Sequence, residues 1–411
     1  MLNPRTANYA RPLRLLMSFF TVHKKVGILL AVGLVWALTF ILYPGRKDPA
    51  EGRLEQLIST NAKMETATFD VARKIAYVSR HIGTTVDFQY MAKHLQLENV
   101  DYYDASEYYG FQASAKEYRS IVDDGTVQKI CSTHDLVFVS DSLADGWPFI
   151  MDGNQNCKNV VFVITNRFDI GAVGDDKEAF IRDFNYSLNR DDEYRAKIIV
   201  NNLFEVPYLE SRGVHVPEYH PLIRPFGYNS VDAKELEEDD DDFSCLIISR
   251  VTQDEYLMSE LVAKHTSHHC KVLPTHYGGP KTLSKYQSVV VHLPYQVSVM
   301  KMWENLAYGV LMIIPSPDFF TQICSENRCA EVRDAMQPKE VFGEATWSNY
   351  LDFYLPDWEK CFIQYSSWEQ LDDILTRKDY LKDINHCRNK MEDLRELGLQ
   401  SWKEFLVKLQ N

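Results

Sequence analysis

Residues 292–316 read HLPYQVSVMKMWENLAYGVLMIIPS, and the expected fold follows from this stretch. A proline turn comes first, then a helix-length stretch at 299–308, then Gly309 and an apolar run at 310–315. Glycine readily ends a helix, because it adopts the left-handed conformation without strain. Together with the preceding apolar run 288–293, the stretch predicts a strand, a turn, a helix and a second strand, which is the unit of a parallel α/β sheet.

Similar short apolar runs occur on both sides of this stretch and alternate with helix-like segments. In the C-terminal half we predict strands at 243–249 and 271–274, a helix at 254–265 and helices within 368–410. In the N-terminal half we predict strands at 74–79, 136–140, 160–165 and 197–200, with a loop at 80–85 and a helix at 86–95. Runs of this length and β-branched content are typical of buried parallel strands. The chain is therefore predicted to contain two α/β series.

The two series are separated by the segment 220–229, HPLIRPFGYN, and by an acidic run at 237–242. Prolines and a glycine interrupt regular structure there. We predict an N-terminal Rossmann-like domain at 71–222, a linker at 223–242, a C-terminal Rossmann-like domain at 243–365 and closing helices at 366–411. The predicted fold class is α/β, with the two Rossmann-like domains facing each other across a cleft.

Residues 26–43, VGILLAVGLVWALTFILY, carry no charge. As a helix they would span about 27 Å, close to the thickness of a bilayer's hydrocarbon core. We interpret them as a transmembrane anchor and not as a cleaved signal peptide, whose apolar core is shorter. Five basic residues precede the segment and three follow it closely, which predicts a single-pass type II protein: a cytosolic tail at 1–25, a stem at 44–70 and a lumenal body. The expected location is the Golgi or endoplasmic reticulum membrane, where the sequon Asn185-Tyr-Ser187 could accept a glycan.

Charge and cysteine content exclude some classes of protein. The chain has 58 acidic and 44 basic residues, a net charge of −14, and lacks the basic stripe of nucleic-acid-binding proteins outside its N-terminal arm. None of its eight cysteines forms a Cys-x-x-Cys pair, which disfavours a structural zinc site. We expect most of them to be buried free thiols, although an oxidising lumen would allow some to pair, and Cys324 with Cys329 would close a short loop.

The helix predicted at 299–308 has the features of a nucleotide-binding helix. If it starts near Ser298, its first backbone N–H groups point into the cleft and could hold a diphosphate. Glu304 lies six residues further along on an otherwise largely apolar helix. A carboxylate there could accept hydrogen bonds from both hydroxyls of a ribose, and a solvated surface glutamate is the alternative.

The same stretch resembles the donor-binding segment of retaining glycosyltransferases of family four, which have the GT-B arrangement of two Rossmann-like domains. Their pattern is a glutamate, seven residues and a second glutamate, followed by small residues, a glycine and a strand. Glu304, Ala307 and Gly309 match its second half. Gln296 stands where the first glutamate contacts the sugar in that family. An amide can hydrogen-bond sugar hydroxyls but carries no charge.

Arg250 follows the predicted strand 243–249, where the family places an arginine on the donor diphosphate, and a planar guanidinium suits phosphate oxygens. A surface arginine is the alternative. The family's partner lysine is absent, since Glu255 stands there, and Lys281 or Lys285 could substitute for it. The donor-binding residues that the resemblance implies are Arg250, Gln296, Val297, Ser298 and Glu304.

The resemblance also implies an activity. It would be a hexosyl transfer, such as mannosyl transfer, from a nucleotide sugar to a glycan, glycoprotein or glycolipid. It would proceed with retention of configuration and without a metal or cofactor. No catalytic nucleophile is evident in the sequence, so the catalytic residues stay unassigned.

Polar residues that follow the predicted N-terminal strands are candidates for acceptor binding, because open α/β sheets bind ligands at the carboxyl ends of their strands. The candidates are His81, Gly83, Asn166, Arg167 and Asp169, with Asn201, Asn202 and Glu205 after a further strand. A structural hydrogen bond is the alternative role, above all for the loop histidine.

Three other interpretations remain open from the sequence. A metal-dependent GT-A glycosyltransferase would bind its donor through an Asp-x-Asp motif, for which the acidic run 237–242 is the dense candidate. A catalytically inactive glycan-binding or scaffolding protein would account for Gln296 and Glu255. A cytosolic family-four enzyme would require that 26–43 does not cross a membrane.

Overall fold

The computed structural model describes residues 69–153, 157–230, 244–248, 253–273, 277–285, 289–330, 332–377 and 380–410. The predicted tail, the transmembrane anchor at 26–43, nearly all of the stem, the acidic run 237–242 and Arg250 lie outside these residues. Within the described residues, no helix is both long and apolar enough to cross a membrane.

The first sheet contains five parallel strands in the order β2-β1-β3-β4-β5. Its strands are β1 (Ile75–Ser79), β2 (Val100–Asp104), β3 (Leu136–Ser140), β4 (Val160–Ile164) and β5 (Lys197–Val200). Its helices are α1 (Ile82–His94), α2 (Ala115–Asp123), α3 (Thr126–Thr133), α4 (Trp147–Ile150), α5 (Asp176–Asn189) and α6 (Glu205–Ser211). Strands β1, β3 and β4 are buried along their whole length, as their apolar sequences predict.

The second sheet also contains five parallel strands, in the order β10-β9-β8-β6-β7. Its strands are β6 (Cys245–Ile248), β7 (Cys270–Leu273), β8 (Val290–Val291), β9 (Met312–Pro315) and β10 (Phe362–Tyr365). Its helices are α7 (Gln253–His265), α8 (Gly279–Lys285), α9 (Met300–Ala307), α10 (Pro317–Asn327), α11 (Arg333–Phe342), α12 (Trp368–Thr376) and α13 (Leu381–Lys408). Both sheets belong to the compact unit Thr68–Asn411.

The two sheets share one winding. Counted from its own first strand, each sheet has the spatial order 2-1-3-4-5, so the strand order reverses between β1 and β3 in one and between β6 and β8 in the other. Such switch points leave a crevice beyond the carboxyl ends of the strands, where ligands bind. The predicted α/β architecture with two Rossmann-like halves is confirmed.

One predicted helix start is wrong by four residues. Helix α1 begins at Ile82, inside the predicted loop 80–85, because the His81 side chain accepts a hydrogen bond from the backbone N–H of Gly83 and caps the helix. Helix α9 begins at Met300, with Val299 as its cap, within one residue of the predicted helix 299–308. The Ser298 side chain is turned inward, where its hydroxyl accepts a hydrogen bond from Trp303 Nε1 at 3.2 Å.

The prediction that most cysteines are free thiols is wrong, since all eight form disulfides. The pairs are Cys131–Cys157, Cys245–Cys270, Cys324–Cys329 and Cys361–Cys387. Only the short Cys324–Cys329 loop had been singled out as a pair. Three of the bridges join cysteines 25 or 26 residues apart, and neighbouring strands bring one of these pairs together: Cys245 and Cys270 are register partners on β6 and β7.

The sequon lies within helix α5. The Asn185 side-chain oxygen accepts a hydrogen bond from the backbone N–H of His215 at 2.8 Å, and Ser187 is buried. In the folded protein the sequon is therefore part of a packed helix and not of an exposed loop.

Helix α13 connects the two halves of the molecule. With 28 residues it is about 42 Å long. The disulfide at Cys387 ties its first part to Cys361, directly before β10. Near its other end Trp402 packs against Phe88 and Phe138 of the first half, with ring centroids 5.7 and 5.8 Å apart. The helix thus completes the core on one side of the first sheet.

Residues 220–230, here called the crossing segment, lead away from the first sheet. The backbone N–H of Ile223 donates to the carbonyl of Val200, so the segment starts along the edge of β5. Further along, Gly227 lies against helix α9 with φ +65°, and a side chain there would collide with the carbonyl oxygen of Trp303. Glycine is required at this point for its conformation and for its size.

We predict that Gly227→Ala destabilises the protein by more than 3 kcal/mol, because the methyl group meets backbone as well as an unfavourable φ. Gly213→Ala is the matched control, since Gly213 also has a positive φ but open space around it, and about 1 kcal/mol is expected there. Urea unfolding of both variants measures the difference. Equal losses would show that the contact with α9 is not tight.

Candidate functional site

The first turns of α1 and α9 meet between the two halves. A Cβ placed on Gly83 would lie 3.9 Å from Met300 Cβ. Both helices follow a strand of their own sheet, so the carboxyl edges of the two sheets face each other here. Next to this contact is a cavity of about 30 Å³. Its polar lining comes from Tyr77, Thr84, Asp87, Ser140, Thr165, Asn201 and Arg224.

Glu304 lies half-buried on α9 and faces the crossing segment. Its carboxylate accepts a hydrogen bond from Asn229 Nδ2 at 2.8 Å. Burial raises the pKa of Glu304, while the bond from Asn229 and the charge of Lys301 act in the opposite direction. Lys301 Nζ lies 5.2 Å from the ring centre of Tyr277. An acid, an amide, an ammonium group and an aromatic ring thus lie around one turn of this helix.

Glu304 also faces the first half of the molecule, because its charge contributes to the raised pKa of Asp87 on α1. Asp87 accepts a hydrogen bond from the backbone N–H of Phe226 at 2.8 Å. Burial, the largest cause, raises the pKa of Asp87 to about 8. Sequence reasoning missed Asp87, although an acid on an otherwise apolar helix face was a visible signal.

The remaining predicted donor residues occupy different environments. Val297 is fully buried, and its carbonyl accepts a hydrogen bond from the backbone N–H of Asp352 at 3.0 Å. Gln296 is half-buried, and its amide has no hydrogen-bond partner among the described residues. Val297 and Ser298 therefore contribute packing and shape to the turn before α9, whereas the Gln296 amide keeps its hydrogen-bonding capacity.

An ion pair that sequence reasoning missed lies beside that turn. Arg224 of the crossing segment contacts the fully buried Asp352 at 3.4 Å. Within the described structure, Arg224 Nε and Asp352 Oδ2 are both buried without a hydrogen-bond partner. Burial raises the pKa of Asp352, and the nearby Arg224 charge opposes this. The pair leaves hydrogen-bonding capacity unused next to the cavity, which water or a ligand could satisfy.

Several acceptor candidates instead bind one another. Arg167 Nη1 pairs with the buried Glu205 at 2.6 Å, and Asn202 Nδ2 donates to the same carboxylate oxygen at 2.9 Å. Asp169 pairs with Lys177 at 2.7 Å and accepts a hydrogen bond from Tyr208. This network holds the loops after β4 and β5 together, so its members have a structural role in the first half.

The other two polar candidates of these loops have local contacts. Asn166 is half-buried, and its side-chain oxygen accepts a hydrogen bond from the backbone N–H of Arg167 at 3.0 Å. Asn201 lines the cavity and donates a weak bond of 3.4 Å to the carbonyl of Thr165. Asn201 is therefore the candidate of this group that reaches the space between the halves.

A second polar group surrounds the carboxyl ends of β1 and β3. His81 is exposed there, with Nδ1 bound to the Gly83 N–H at 3.1 Å. Arg80 forms two hydrogen bonds of 2.6 and 2.7 Å with the buried Asp145. Asp141 has a left-handed backbone, φ +69°, which is unusual for a residue other than glycine and often marks functional sites.

Among the described residues, no group of three or more histidine, cysteine, aspartate or glutamate side chains could hold a metal ion. The acidic run 237–242, the candidate for a metal-dependent donor site, lies outside them.

We predict that stability falls as the pH rises from 5 to 8. Because its pKa is raised, Asp87 binds its proton more tightly in the folded state than in the unfolded state. Its contribution to the free energy of unfolding is therefore fully present below its ordinary pKa near 4 and is lost as the pH rises through about 8. Asp87→Asn is neutral at every pH and still accepts the Phe226 N–H. Between pH 5 and 8, the free energy of unfolding of this variant should fall by roughly 2 kcal/mol less than that of the wild type.

Urea unfolding at pH 5, 6, 7 and 8 measures this effect. Asp123→Asn, at an exposed position on α2, serves as the control and should keep the wild-type fall. If Asp87→Asn has the same pH dependence as the wild type, the Asp87 proton does not stabilise the folded state.

No protein-family model matches the chain, and no curated protein is significantly similar to it in sequence. Among solved structures, the glycosyltransferase SnogD from Streptomyces nogalater is similar, with 11% identity and a TM-score of 0.44 over 82% of this chain and 100% of that chain. Similarity at this level does not distinguish among two-sheet α/β proteins, so the chain's own geometry has to support any assignment of function.

Proposed function

We propose that the protein is a glycosyltransferase of the GT-B type that transfers a sugar from a nucleotide-sugar donor to a glycan, glycoprotein or glycolipid. The observation that carries the proposal is the pair of identically wound parallel sheets whose carboxyl edges meet at α1 and α9. Each edge is a ligand site in its own right. Two such edges facing each other can hold two substrates, one on each half.

The donor is proposed to bind to the second half, at α9. The first backbone N–H groups of the helix lie at the edge where a diphosphate would be held. Glu304 lies one turn further on, within reach of a ribose whose hydroxyls would replace Asn229 as its hydrogen-bond donors. Gln296 would contact the sugar as a neutral partner, as the resemblance to family four suggests.

The proposed reaction breaks the bond between the sugar's anomeric carbon and the diphosphate, and the electron pair leaves with the diphosphate. The acceptor hydroxyl oxygen forms the new bond to that carbon, and its proton passes to the departing diphosphate. This front-face course retains the configuration and requires no nucleophile, metal or cofactor from the protein. Positioning and stabilisation of the diphosphate would supply the rate enhancement.

The proposed location is the lumen of the Golgi or endoplasmic reticulum, with 26–43 as a type II membrane anchor. Four disulfides support this proposal, because such bonds persist in oxidising compartments and are rare in the cytosol. As the specific reaction we propose hexosyl transfer with GDP-mannose as the donor, in line with the resemblance to family four.

A catalytically inactive glycan-binding or scaffolding protein is the second candidate. The cavity between the halves, about 30 Å³, has room for a few water molecules, whereas sites for drug-sized ligands measure several hundred Å³. A nucleotide sugar would require the halves to open at the crossing segment. If they do not open, the protein binds glycans at its surface without turnover.

We predict that Glu304→Gln and Glu304→Ala weaken binding of the donor nucleotide by about 10- to 100-fold, the loss expected for hydrogen bonds from ribose to a carboxylate. Isothermal titration of the full-length protein in detergent with UDP, GDP and their sugars measures the effect. Glu326→Ala, an exposed acid on α10, should bind like the wild type.

The outcomes separate the two candidates. Binding that is lost in both Glu304 variants, together with release of nucleotide from one of the sugars by the wild type, supports the glycosyltransferase. Wild-type affinity in both Glu304 variants would contradict the proposed donor site. Absence of turnover with every donor would favour the inactive protein.

We predict that the full-length protein stays in the membrane fraction after extraction with alkaline carbonate, because a spanning helix is inserted essentially irreversibly. Protease added to intact microsomes should spare residues 69–411. Deletion of 26–43 should release the protein. Recovery of the intact chain in the carbonate supernatant would contradict the proposed anchor.

A further inference from the structure

We propose that the loops after β1, β2 and β3 form a binding site for one sugar ring of the acceptor, with Asp141, His81 and Phe111 as its contacts. The inference rests on the proposed function and specifies its acceptor as a carbohydrate. The site lies at the switch point of the first sheet, on the half opposite the proposed donor site.

Strand register brings these loops together. Val78 of β1 pairs with Val139 of β3, so two residues further along Arg80 lies beside Asp141. His81 follows directly in the chain. Strand β2 pairs with β1 on its other side, and the loop after β2 carries Phe111. Three loops that are distant in sequence therefore converge on one spot.

His81 can act there as a hydrogen-bond donor. Its Nδ1 accepts the N–H of Gly83 at 3.1 Å, so in the neutral ring the proton is on Nε2. A Cβ at Gly83 would lie 2.7 Å from the imidazole, and glycine is what allows the ring to take this position. Within the described structure Nε2 has no partner and the ring is exposed, so it can donate to a ligand hydroxyl.

Asp141 supplies the matching acceptor. Its left-handed backbone, φ +69°, is a strained conformation that the surroundings have to maintain. Burial raises the pKa of this half-buried carboxylate, and the neighbouring His81 and Arg80 oppose the rise. Arg80 forms no hydrogen bond with this carboxylate and instead donates two hydrogen bonds to Asp145. Asp141 is therefore left to accept hydrogen bonds from a ligand.

Phe111 provides an apolar surface beside these groups. Its side chain is 52% exposed, which is uncommon for phenylalanine. One face lies over the Arg80 guanidinium, 5.5 Å from the ring centre, and a Cβ at Gly171 would lie 3.6 Å from the ring. Arg80 and the loop after β4 thus hold the ring in place, while about half of it faces solvent.

This combination matches a sugar ring better than other ligands. A pyranose has hydroxyls that both donate and accept, as well as an apolar face of C–H groups, and the three side chains supply one partner for each. A phosphate is disfavoured, because Asp141 would repel it and Arg80 is already paired. Arg167 and Glu205 pair with each other after β4 and β5, outside the three loops that carry this site.

A glycan array read with the labelled full-length protein in detergent tests the inference. Asp141→Asn retains the shape and tolerates the left-handed backbone, but it lacks the negative charge. It should weaken binding to the glycans recognised by the wild type by about tenfold, and Phe111→Ala by about fivefold. Two variants serve as matched controls and should bind like the wild type. Asp152→Asn changes another left-handed aspartate, which pairs with Arg119, and Tyr186→Ala removes another exposed ring, on α5.

Nucleotide titration of the same proteins keeps this inference separate from the proposed donor site. Asp141→Asn and Phe111→Ala should bind the donor nucleotide with wild-type affinity. Wild-type glycan binding by Asp141→Asn, or equal losses in Asp152→Asn, would overturn the assignment of this site. A wild-type protein that binds nucleotide but no glycan on the array would overturn the carbohydrate acceptor while leaving the donor site intact.

Discussion

The contact between Gly227 and helix α9 is the constraint on which the rest of the structure depends. The backbone of the crossing segment lies directly on that helix, and no side chain fits between them. Asp87 holds the same segment from the first half, and Arg395 of α13 donates to the carbonyl of Phe226 at 2.8 Å. Three elements from different parts of the chain therefore fix how the two sheets face each other, and with this the space available to substrates.

The strands that are buried on both faces could be predicted from the sequence, because short continuous apolar runs are typical of such strands. The β3 and β5 ranges agree residue by residue with the prediction. Strand β2 was missed since its sequence, VDYYD, is half-exposed at the sheet edge and carries two acids. The Cys245–Cys270 disulfide was missed for a different reason: its two cysteines meet through strand pairing, which spacing along the chain does not reveal.

The candidate site was predictable only in part. Glu304 and the turn before α9 follow from a local pattern, and the structure places them next to the crossing segment. Asp352 and Arg224 are 128 residues apart in the sequence, so no local pattern could identify them as a pair. Asp141 is distinguished by its left-handed backbone conformation, which a sequence pattern does not show. Conversely, Arg167 and Asp169 have the expected position at a strand end, but both form ion pairs with neighbouring side chains. Position at a sheet edge therefore does not by itself identify a binding residue.

Helix α13 has a consequence for biosynthesis. Trp402, Phe405 and Leu406 complete the core around the first sheet, although roughly 300 residues separate them from Phe88. While the ribosome is still making the second half, the first sheet exposes the apolar surface that this helix will later cover. The N-terminal half thus cannot finish folding as it emerges, and the nascent chain has to be kept from aggregating until α13 arrives.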